Sequence, residues 1–418
     1  MLALPMMTTY RPRIIDSVIA ERLEDFPAVS IVGPRASGKT TTANRHAQTI
    51  LRLDDPGEAA VVQANPDAAL RDRAEPILVD EWQEATAVLG AVKRAVDADP
   101  RPGRFLLTGS VRAELHSPVW PGTGRVIHVP MATLSVREQL GDAGAVPVIE
   151  RVARSGAEEL VTPDTPLDLR DYLRLALTGA FPEPALRLPV RARPTWLDSY
   201  VHQLVTRDVQ AVDTTRDPAR IRRFFEVLAL NTAGVVDDKT LYDAARINRA
   251  TAEAYERLLQ NLFVVEVVPA WYTNRLKRLV KMPKRYLVDA GLAAAAINVD
   301  ETMVLRDADL LGRLLDTFVA AQLRAELPAC PGRPRMYHLR TEGGRQEIDL
   351  ILELSGDRII GIEIKAAAAV SDKDARHLVW LRDRLDARFV HGLVLHTGPG
   401  LFELSERITA APISALWS

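Results

Sequence analysis

One short segment constrains the fold of this 418-residue chain more than any other. Residues 33–40 read Gly-Pro-Arg-Ala-Ser-Gly-Lys-Thr, which matches the pattern G-x-x-x-x-G-K-[ST], and they follow the apolar run 28–32. The apolar run predicts a buried strand, and a helix is predicted to begin near the lysine. Glycines at both ends let backbone N–H groups curl around phosphate oxygens, and the helix N-terminus adds positive character. The sequence therefore predicts a phosphate-binding loop in a parallel α/β sheet.

The loop predicts a role for each of its polar residues. Lys39 is expected to reach the β- and γ-phosphates of ATP, and the Thr40 hydroxyl is expected to coordinate Mg²⁺. ATP and Mg²⁺ are therefore the predicted cofactors. The residues predicted to bind the nucleotide in this loop are Gly33, Pro34, Arg35, Ala36, Ser37, Gly38, Lys39, Thr40 and Thr41.

Two further apolar runs end in polar side chains. The run 77–79 is followed by Asp80 and Glu81, and the run 105–107 is followed by Thr108-Gly-Ser110. In a P-loop enzyme an aspartate in this place holds the metal, and a following glutamate polarises the attacking water. We therefore expect Asp80 to bind metal and nucleotide and Glu81 to be catalytic. Ser110 is a candidate sensor of the γ-phosphate, although an ordinary turn has the same sequence.

These motifs, together with Gly124-Arg125, resemble the prokaryotic AAA+-type ATPases in which an ATPase domain precedes a C-terminal region of unknown function. The resemblance implies that Arg125, or alternatively Arg112, acts as an arginine finger or sensor that completes a neighbour's nucleotide site. It thereby implies a homo-oligomer. An exposed structural arginine would have the same sequence signature.

The C-terminal half contains a second cluster of charged residues. Two period-2 segments, 347–354 and 358–365, flank Ser-Gly-Asp, which predicts a hairpin. With a three-residue loop, Asp349 lies opposite Glu363, and Lys365 shares their face; a two-residue loop would move Glu363 off that face. Two carboxylates on adjacent strands can share a divalent metal, and a nearby lysine can activate water. Asp349 and Glu363 are thus candidate metal ligands, and both are candidate catalytic residues with Lys365.

This D-x₁₃-E-x-K arrangement resembles the core of the PD-(D/E)xK nuclease superfamily. The resemblance implies a restriction-endonuclease-like α/β domain. It also implies a further carboxylate on the preceding helix, where this chain offers Asp316 in place of the more usual glutamate. Domains of this kind are often degenerate, so solvated charges on an edge hairpin are the competing interpretation.

The middle of the chain indicates a helical unit and a basic segment. Predicted helices at 220–230, 241–247 and 250–262, followed by the β-like run 263–268, have the order of a winged helix, either a packing module or a nucleic-acid reader. The segment from Trp271 to Arg285 contains no acidic residue and could bind nucleic acid, although a solvated connector would have the same composition. Its basic residues are Arg275, Lys277, Arg278, Lys281, Lys284 and Arg285, interleaved with Trp271, Tyr272 and, just beyond, Tyr286.

Composition excludes several classes of protein. The chain has 53 basic and 55 acidic residues, so it is no polycation built to coat nucleic acid. The single cysteine, Cys330, excludes an internal disulfide and Cys₄ or Cys₂His₂ zinc sites. No apolar run is long enough to span a bilayer. We therefore expect a cytoplasmic protein that does not contact membranes.

Taken together, these features predict an α/β multidomain protein. It has a P-loop ATPase domain at 1–135, a helical lid or linker at 136–215, a winged-helix-like unit at 216–272 and a nuclease-like domain at 273–418. The expected function is Mg²⁺-dependent ATP hydrolysis coupled to a nuclease-like domain that cuts or binds nucleic acid. The alternative is an ATP-gated, non-catalytic switch or protein-interaction module with a degenerate nuclease fold.

Overall fold

The computed structural model describes residues 10–110, 123–209, 217–274 and 281–418. The α-helices in these ranges are α1 (Ile15–Asp25), α2 (Lys39–Ala43), α3 (Pro56–Ala64), α4 (Pro66–Leu70), α5 (Val88–Ala98), α6 (Val136–Leu140), α7 (Val148–Ser155), α8 (Leu169–Thr178), α9 (Arg193–Gln203), α10 (Pro218–Leu230), α11 (Asp238–Ala244), α12 (Arg249–Asn261), α13 (Ala290–Ala296), α14 (Glu301–Val304), α15 (Ala308–Glu326) and α16 (Asp372–Leu385). The strands are β1 (Ala28–Val32), β2 (Thr49–Arg52), β3 (Ile77–Asp80), β4 (Phe105–Gly109), β5 (Val126–Pro130), β6 (Val265–Val268), β7 (Lys284–Leu287), β8 (Arg335–Arg340), β9 (Glu347–Glu353), β10 (Ile359–Lys365), β11 (Phe389–His396), β12 (Phe402–Ser405) and β13 (Ile408–Pro412).

The first sheet is parallel, with the strand order β2-β3-β4-β1-β5. Its central strands are apolar because helices cover both faces: α1 packs on one face, and α5 packs on the other. The strands predicted at 28–32, 77–79 and 105–107 are confirmed. Since all strands run the same way, the segments after β1, β3 and β4 meet at one edge of the sheet, where α/β proteins bind ligands.

The middle of the chain is helical and ends in a hairpin. Helices α10, α11 and α12 occupy the places of the three predicted helices, and β6 pairs antiparallel with β7. This is the predicted order of helices and hairpin, while the winged-helix identity itself stays a prediction. The residues of the second strand were not predicted. They lie in the basic segment, so the predicted boundary at 272 falls between the paired strands.

The C-terminal sheet is mixed, with the order β12-β13-β11-β10-β9-β8. Strand β10 lies between β9, which is antiparallel to it, and β11, which is parallel to it. Helices α15 and α16 cover the sheet, with α15 packing on β10 near Leu350 and Ile362. A C-terminal α/β domain is therefore present, as predicted.

One hydrophobic core joins the middle helices to the C-terminal sheet. Trp417, near the end of the sequence, contacts Tyr172 of α8 and Phe318 of α15 at ring-centroid distances of 6.2 and 6.0 Å. The Tyr172 hydroxyl donates a hydrogen bond to Ser414 Oγ at 3.0 Å.

Among the described residues no helix is both long and apolar enough to cross a membrane.

Candidate functional site

The predicted phosphate-binding loop connects β1 to α2 at the carboxyl edge of the first sheet. Gly33 is in close contact with the chain after β5, because a Cβ atom at this position would lie 2.2 Å from the carbonyl oxygen of Met131. Gly38 has φ +98°, a conformation that L side chains rarely adopt. The Ser37 hydroxyl is buried and has no hydrogen-bond partner among the described residues. The loop is therefore a backbone cradle that no larger residues at 33 and 38 could form.

Lys39 is folded back over the loop. Its side chain is buried, and Nζ donates hydrogen bonds to the carbonyl oxygens of Gly33 at 3.1 Å and Pro34 at 2.9 Å. Burial lowers the pKa of Lys39 to about 8, and the nearby carboxylates of Glu81 and Asp80 oppose this shift. The ammonium group therefore lies within the loop, close to two carboxylates.

Asp80 ends β3 beside the loop. Its Oδ1 atom accepts a hydrogen bond from Thr40 Oγ1 at 2.8 Å and another from Thr108 Oγ1. Burial raises the pKa of Asp80, and these two hydroxyl donors counteract that effect. A carboxylate and a threonine hydroxyl are oxygen ligands of the kind that Mg²⁺ prefers. The residues present thus fit the metal that accompanies ATP.

Glu81 follows Asp80 in a left-handed backbone conformation, with φ 53°. This conformation turns its carboxylate toward the end of β4, where Ser110 Oγ donates a hydrogen bond to Glu81 Oε2 at 3.2 Å. The amide of Gln83 donates to the same oxygen. The structure therefore brings Glu81 and Ser110 together at the sheet edge that carries Lys39 and Asp80.

Two contacts of the loop were not predicted. Arg35 Nη1 forms an ion pair with Asp208 Oδ1 at 2.5 Å, and the Tyr200 hydroxyl donates a hydrogen bond to the Arg35 carbonyl oxygen at 3.2 Å. Arg13 Nη1 donates to the Ser37 carbonyl oxygen at 2.9 Å. Asp208 is 173 positions from Arg35 in the sequence, so no local motif could have indicated the pair.

Arg125 does not lie at this loop. It immediately precedes β5, at the amino end of the sheet, and it forms an ion pair with Asp97 at 2.6 Å. The loop lies at the carboxyl end, roughly 15 Å away along a five-residue strand. Arg125 is thus distant from the nucleotide loop of its own chain, and its role at a neighbour's nucleotide site stays a prediction. Its alternative, Arg112, lies outside the described residues.

The C-terminal hairpin has the predicted register. Ile362 pairs with Leu350, and the Leu354 N–H donates to the Arg358 carbonyl oxygen at 2.8 Å, which places Asp349 opposite Glu363. Lys365 Nζ donates to Glu363 Oε2 at 2.9 Å.

A lysine from outside the hairpin joins this cluster. Lys284 of β7 places Nζ 2.9 Å from Asp316 Oδ2 and 3.1 Å from Asp349 Oδ1. Within the described ranges, no group of three or more His, Cys, Asp or Glu side chains is arranged to hold a metal ion. The roles of Asp349 and Glu363 as metal ligands stay predictions. Lys284 was predicted to lie in the basic surface, and its place in this cluster was not predicted.

Burial changes the pKa values of the carboxylates in this cluster. It raises the pKa of Glu363 to about 8, with a further contribution from the charge of Asp349, and it raises the pKa of Asp316 to about 6. Burial opposes ionisation of Asp349 as well, but the Lys284 ammonium and the Ile364 N–H outweigh it, so its pKa is lowered. Asp349 is therefore the carboxylate most firmly ionised in the cluster.

Part of the basic segment is internal. Trp271, Lys284, Arg285 and Tyr286 are buried. Arg285 forms ion pairs with Asp238 at 2.5 Å and Glu256 at 2.9 Å, so its charge is neutralised inside the middle unit. These four residues cannot form the predicted nucleic-acid surface.

The other residues of the predicted surface are either not buried or lie outside the described residues. Lys281 is exposed, with its ammonium 5.9 Å from the centre of the Tyr272 ring. Arg275, Lys277 and Arg278 lie outside the described residues. The predicted basic surface is therefore reduced, among the described residues, to the exposed Lys281 and the neighbouring ring.

Three segments of this chain match known domain families, and most of its length matches two relatives. Residues 25–140 match the family described as AAA domain, residues 169–303 match a domain of unknown function (DUF8612), and residues 311–416 match a domain of unknown function (DUF4143). An uncharacterized protein of Mycobacterium tuberculosis (strain ATCC 25618 / H37Rv) and one of Mycobacterium bovis (strain ATCC BAA-935 / AF2122/97) are each 27% identical to this chain over 396 residues, covering 93% of this chain and 81% of the relative.

Among solved structures, the Walker-type ATPase of Pyrococcus abyssi aligns at 13% identity with a TM-score of 0.41, covering 72% of this chain and 99% of that chain. The AAA match confirms the P-loop part of the predicted resemblance. The nuclease-like and winged-helix parts stay predictions. The chain therefore contains an AAA-type P-loop domain followed by regions that match two domain families of unknown function.

Proposed function

We propose that this protein binds MgATP at residues 33–41 and hydrolyses it. The observation that carries the proposal is the convergence of Lys39, Thr40, Asp80 and Glu81 at one edge of the parallel sheet. Each of these side chains has the chemistry that phosphoryl transfer needs: an ammonium for phosphate, oxygen ligands for the metal and a carboxylate for water.

The geometry supports a division of roles among these residues. MgATP, when bound, supplies the γ-phosphoryl group and the charge of its metal ion. Lys39 exchanges its hydrogen bonds to the loop carbonyls for hydrogen bonds to phosphate oxygens. Thr40 and Asp80 provide oxygen ligands, and Glu81, oriented by the Ser110 hydroxyl, accepts a proton from the attacking water.

Nucleotide binding is tested by titration of ATP with Mg²⁺ into wild type and Lys39→Ala. Loss of a charge-assisted contact to phosphate is expected to weaken binding by roughly tenfold or more. Lys93→Ala is the matched control, because Lys93 lies on α5 in the same domain and pairs with Asp97 at the surface. Equal affinity of wild type and Lys39→Ala would refute the proposed site.

The ion pair of Arg35 with Asp208 connects the nucleotide loop to the middle helices. Arg35 lies in the loop, and Asp208 ends the helical segment after α9. Phosphate bound in the loop would compete with Asp208 for the guanidinium, since both are anions. Through this contact, ATP binding and hydrolysis would move the C-terminal half.

A second candidate function is an ATP-controlled binding module whose C-terminal domain does not cut nucleic acid. It is favoured by the lysine placed between Asp316 and Asp349. Labelled single- and double-stranded DNA and RNA, incubated with Mn²⁺ and ATP, are expected to stay intact. Cleavage by wild type that is lost in Glu363→Ala would establish a nuclease instead.

A further inference from the structure

We infer that the C-terminal carboxylate cluster takes the ammonium group of Lys284 as its cation, in the place where a nuclease of this pattern would hold a divalent metal. The inference concerns the cluster of Asp316, Asp349 and Glu363 and does not depend on ATP hydrolysis.

The ammonium group is fully engaged by this cluster. Its contacts are Asp316 Oδ2 at 2.9 Å, Asp349 Oδ1 at 3.1 Å and the Asp349 carbonyl oxygen at 3.3 Å. An ammonium has three N–H donors, so all three are used. The two carboxylates come from α15, which carries the helix carboxylate implied by the resemblance, and from β9, which carries the predicted metal ligand Asp349. Lys284 therefore bridges two of the three carboxylates of the cluster.

The carboxylate oxygens are also occupied. The Tyr286 hydroxyl donates to Asp316 Oδ1 at 2.9 Å, and the Ile364 N–H donates to Asp349 Oδ2 at 2.9 Å. Lys365 donates to Glu363 Oε2. The one oxygen of these three carboxylates without a hydrogen-bond partner among the described residues is Glu363 Oε1. Mg²⁺ prefers about six oxygen ligands, and a single free carboxylate oxygen does not form such a site.

Charge balance gives the same result. The Lys284 side chain is 2% exposed, and the carboxylates of Asp316 and Asp349 compensate its charge. A divalent ion between these carboxylates would have to displace the ammonium, which would leave a buried positive charge without a partner. Conversely, removal of the ammonium leaves the buried Asp316 and the partly buried Asp349 without the cation that compensates their charge.

The origin of Lys284 connects the cluster to the middle unit. It lies on β7, which pairs with β6, while its ammonium reaches the C-terminal sheet. The same lysine therefore neutralises the carboxylates and connects the β6–β7 hairpin to the C-terminal sheet.

The experiment is a Mn²⁺ titration of the nucleotide-free full chain, with free Mn²⁺ measured by electron paramagnetic resonance. Wild type and Glu363→Gln are expected to bind the same amount of Mn²⁺. Lys284→Ala is expected to gain one Mn²⁺ site per chain, at least tenfold tighter than the residual Mn²⁺ binding of wild type. The double variant Lys284→Ala with Asp349→Asn is expected to lose that site. Lys281→Ala, which removes an exposed lysine three positions away, is the matched control.

Two results would overturn the inference. One is a Mn²⁺ site in wild type that disappears in Glu363→Gln. The other is a folded Lys284→Ala chain, checked by circular dichroism, that binds no additional Mn²⁺. Lys284→Met, which keeps the length of the apolar stem, replaces Lys284→Ala if the alanine variant does not fold. The comparison of wild type with Glu363→Gln decides the question without either lysine variant.

Discussion

Burial displaces the pKa values of several single ionisable groups in this protein. Lys39, Glu363 and His391 all have pKa values displaced toward their neutral forms, and loss of solvation is the largest cause in each case. His391 is an informative example because it lies away from both candidate sites, in β11. Its ring hydrogen-bonds to the Thr409 hydroxyl through Nε2 at 2.9 Å.

The stability of the C-terminal domain is expected to depend on pH through His391. Burial lowers its pKa from 6.5 to about 4, so the unfolded chain takes up a proton that the folded chain refuses. Above pH 6.5 the His391 ring is neutral in both states and does not lower the free energy of unfolding. As the pH falls toward 4, protonation of the unfolded chain lowers this free energy by up to about 3 kcal/mol. Urea unfolding of wild type and His391→Gln between pH 4 and 7 measures this difference.

The variant is expected to lose part of the pH dependence. His202→Gln, on the exposed side of α9, should retain the wild-type profile. If His391→Gln and wild type lose stability in parallel below pH 6.5, burial of this ring is not the cause.

At the scale of elements, close backbone contact fixes how the helices pack. Gly291 of α13 lies against the end of α8, where a Cβ atom would be 2.7 Å from the Gly179 nitrogen and 2.9 Å from the Leu177 carbonyl oxygen. Gly312 of α15 offers the contrast, since a Cβ atom there would meet nothing within 4 Å.

Alanine at these two glycines should have opposite effects. Gly291→Ala is expected to lower the free energy of unfolding by about 2 kcal/mol because the helices must separate. Gly312→Ala is expected to raise it by about 0.5–1 kcal/mol because alanine favours the helical backbone. Chemical denaturation of the two variants tests the pair, and a stabilised Gly291→Ala would contradict the packing described here.

The elements also show what could be predicted from sequence. Strands β1, β3, β4, β9 and β10 were predictable because their apolar patterns are local, and the Ser-Gly-Asp loop set the register that faces Asp349 with Glu363. Lys284 could not be placed, since it is 65 positions from Asp349, and a basic segment alone does not reveal which lysine turns inward. Asp208 was missed for the same reason.

At the scale of the whole molecule, the middle helices and the C-terminal sheet share one core, while the first sheet has its own cores. Trp417 contributes to the shared core by packing on Tyr172 and Phe318. The shared core predicts that these two parts unfold together.

Trp417→Ala tests this cooperativity. The substitution is expected to cost about 3–5 kcal/mol, as for large aromatic residues removed from cores. Hydrogen exchange followed by mass spectrometry should show lost protection in both α8 and β11, with β1 and β4 unchanged. Loss confined to the C-terminal sheet would mean that the two parts unfold separately.

We propose that the first sheet carries an ATP-hydrolysing site in which Glu81 is the base. The direct measurement is phosphate release at saturating MgATP by wild type, Glu81→Gln and the control Glu84→Gln, whose side chain is exposed in the same turn. We predict that wild type and Glu84→Gln release phosphate at similar rates and that Glu81→Gln is slower by about 100-fold or more, with unchanged ATP affinity. Phosphate release by Glu81→Gln at the wild-type rate, or no phosphate release by wild type, would contradict this role of Glu81.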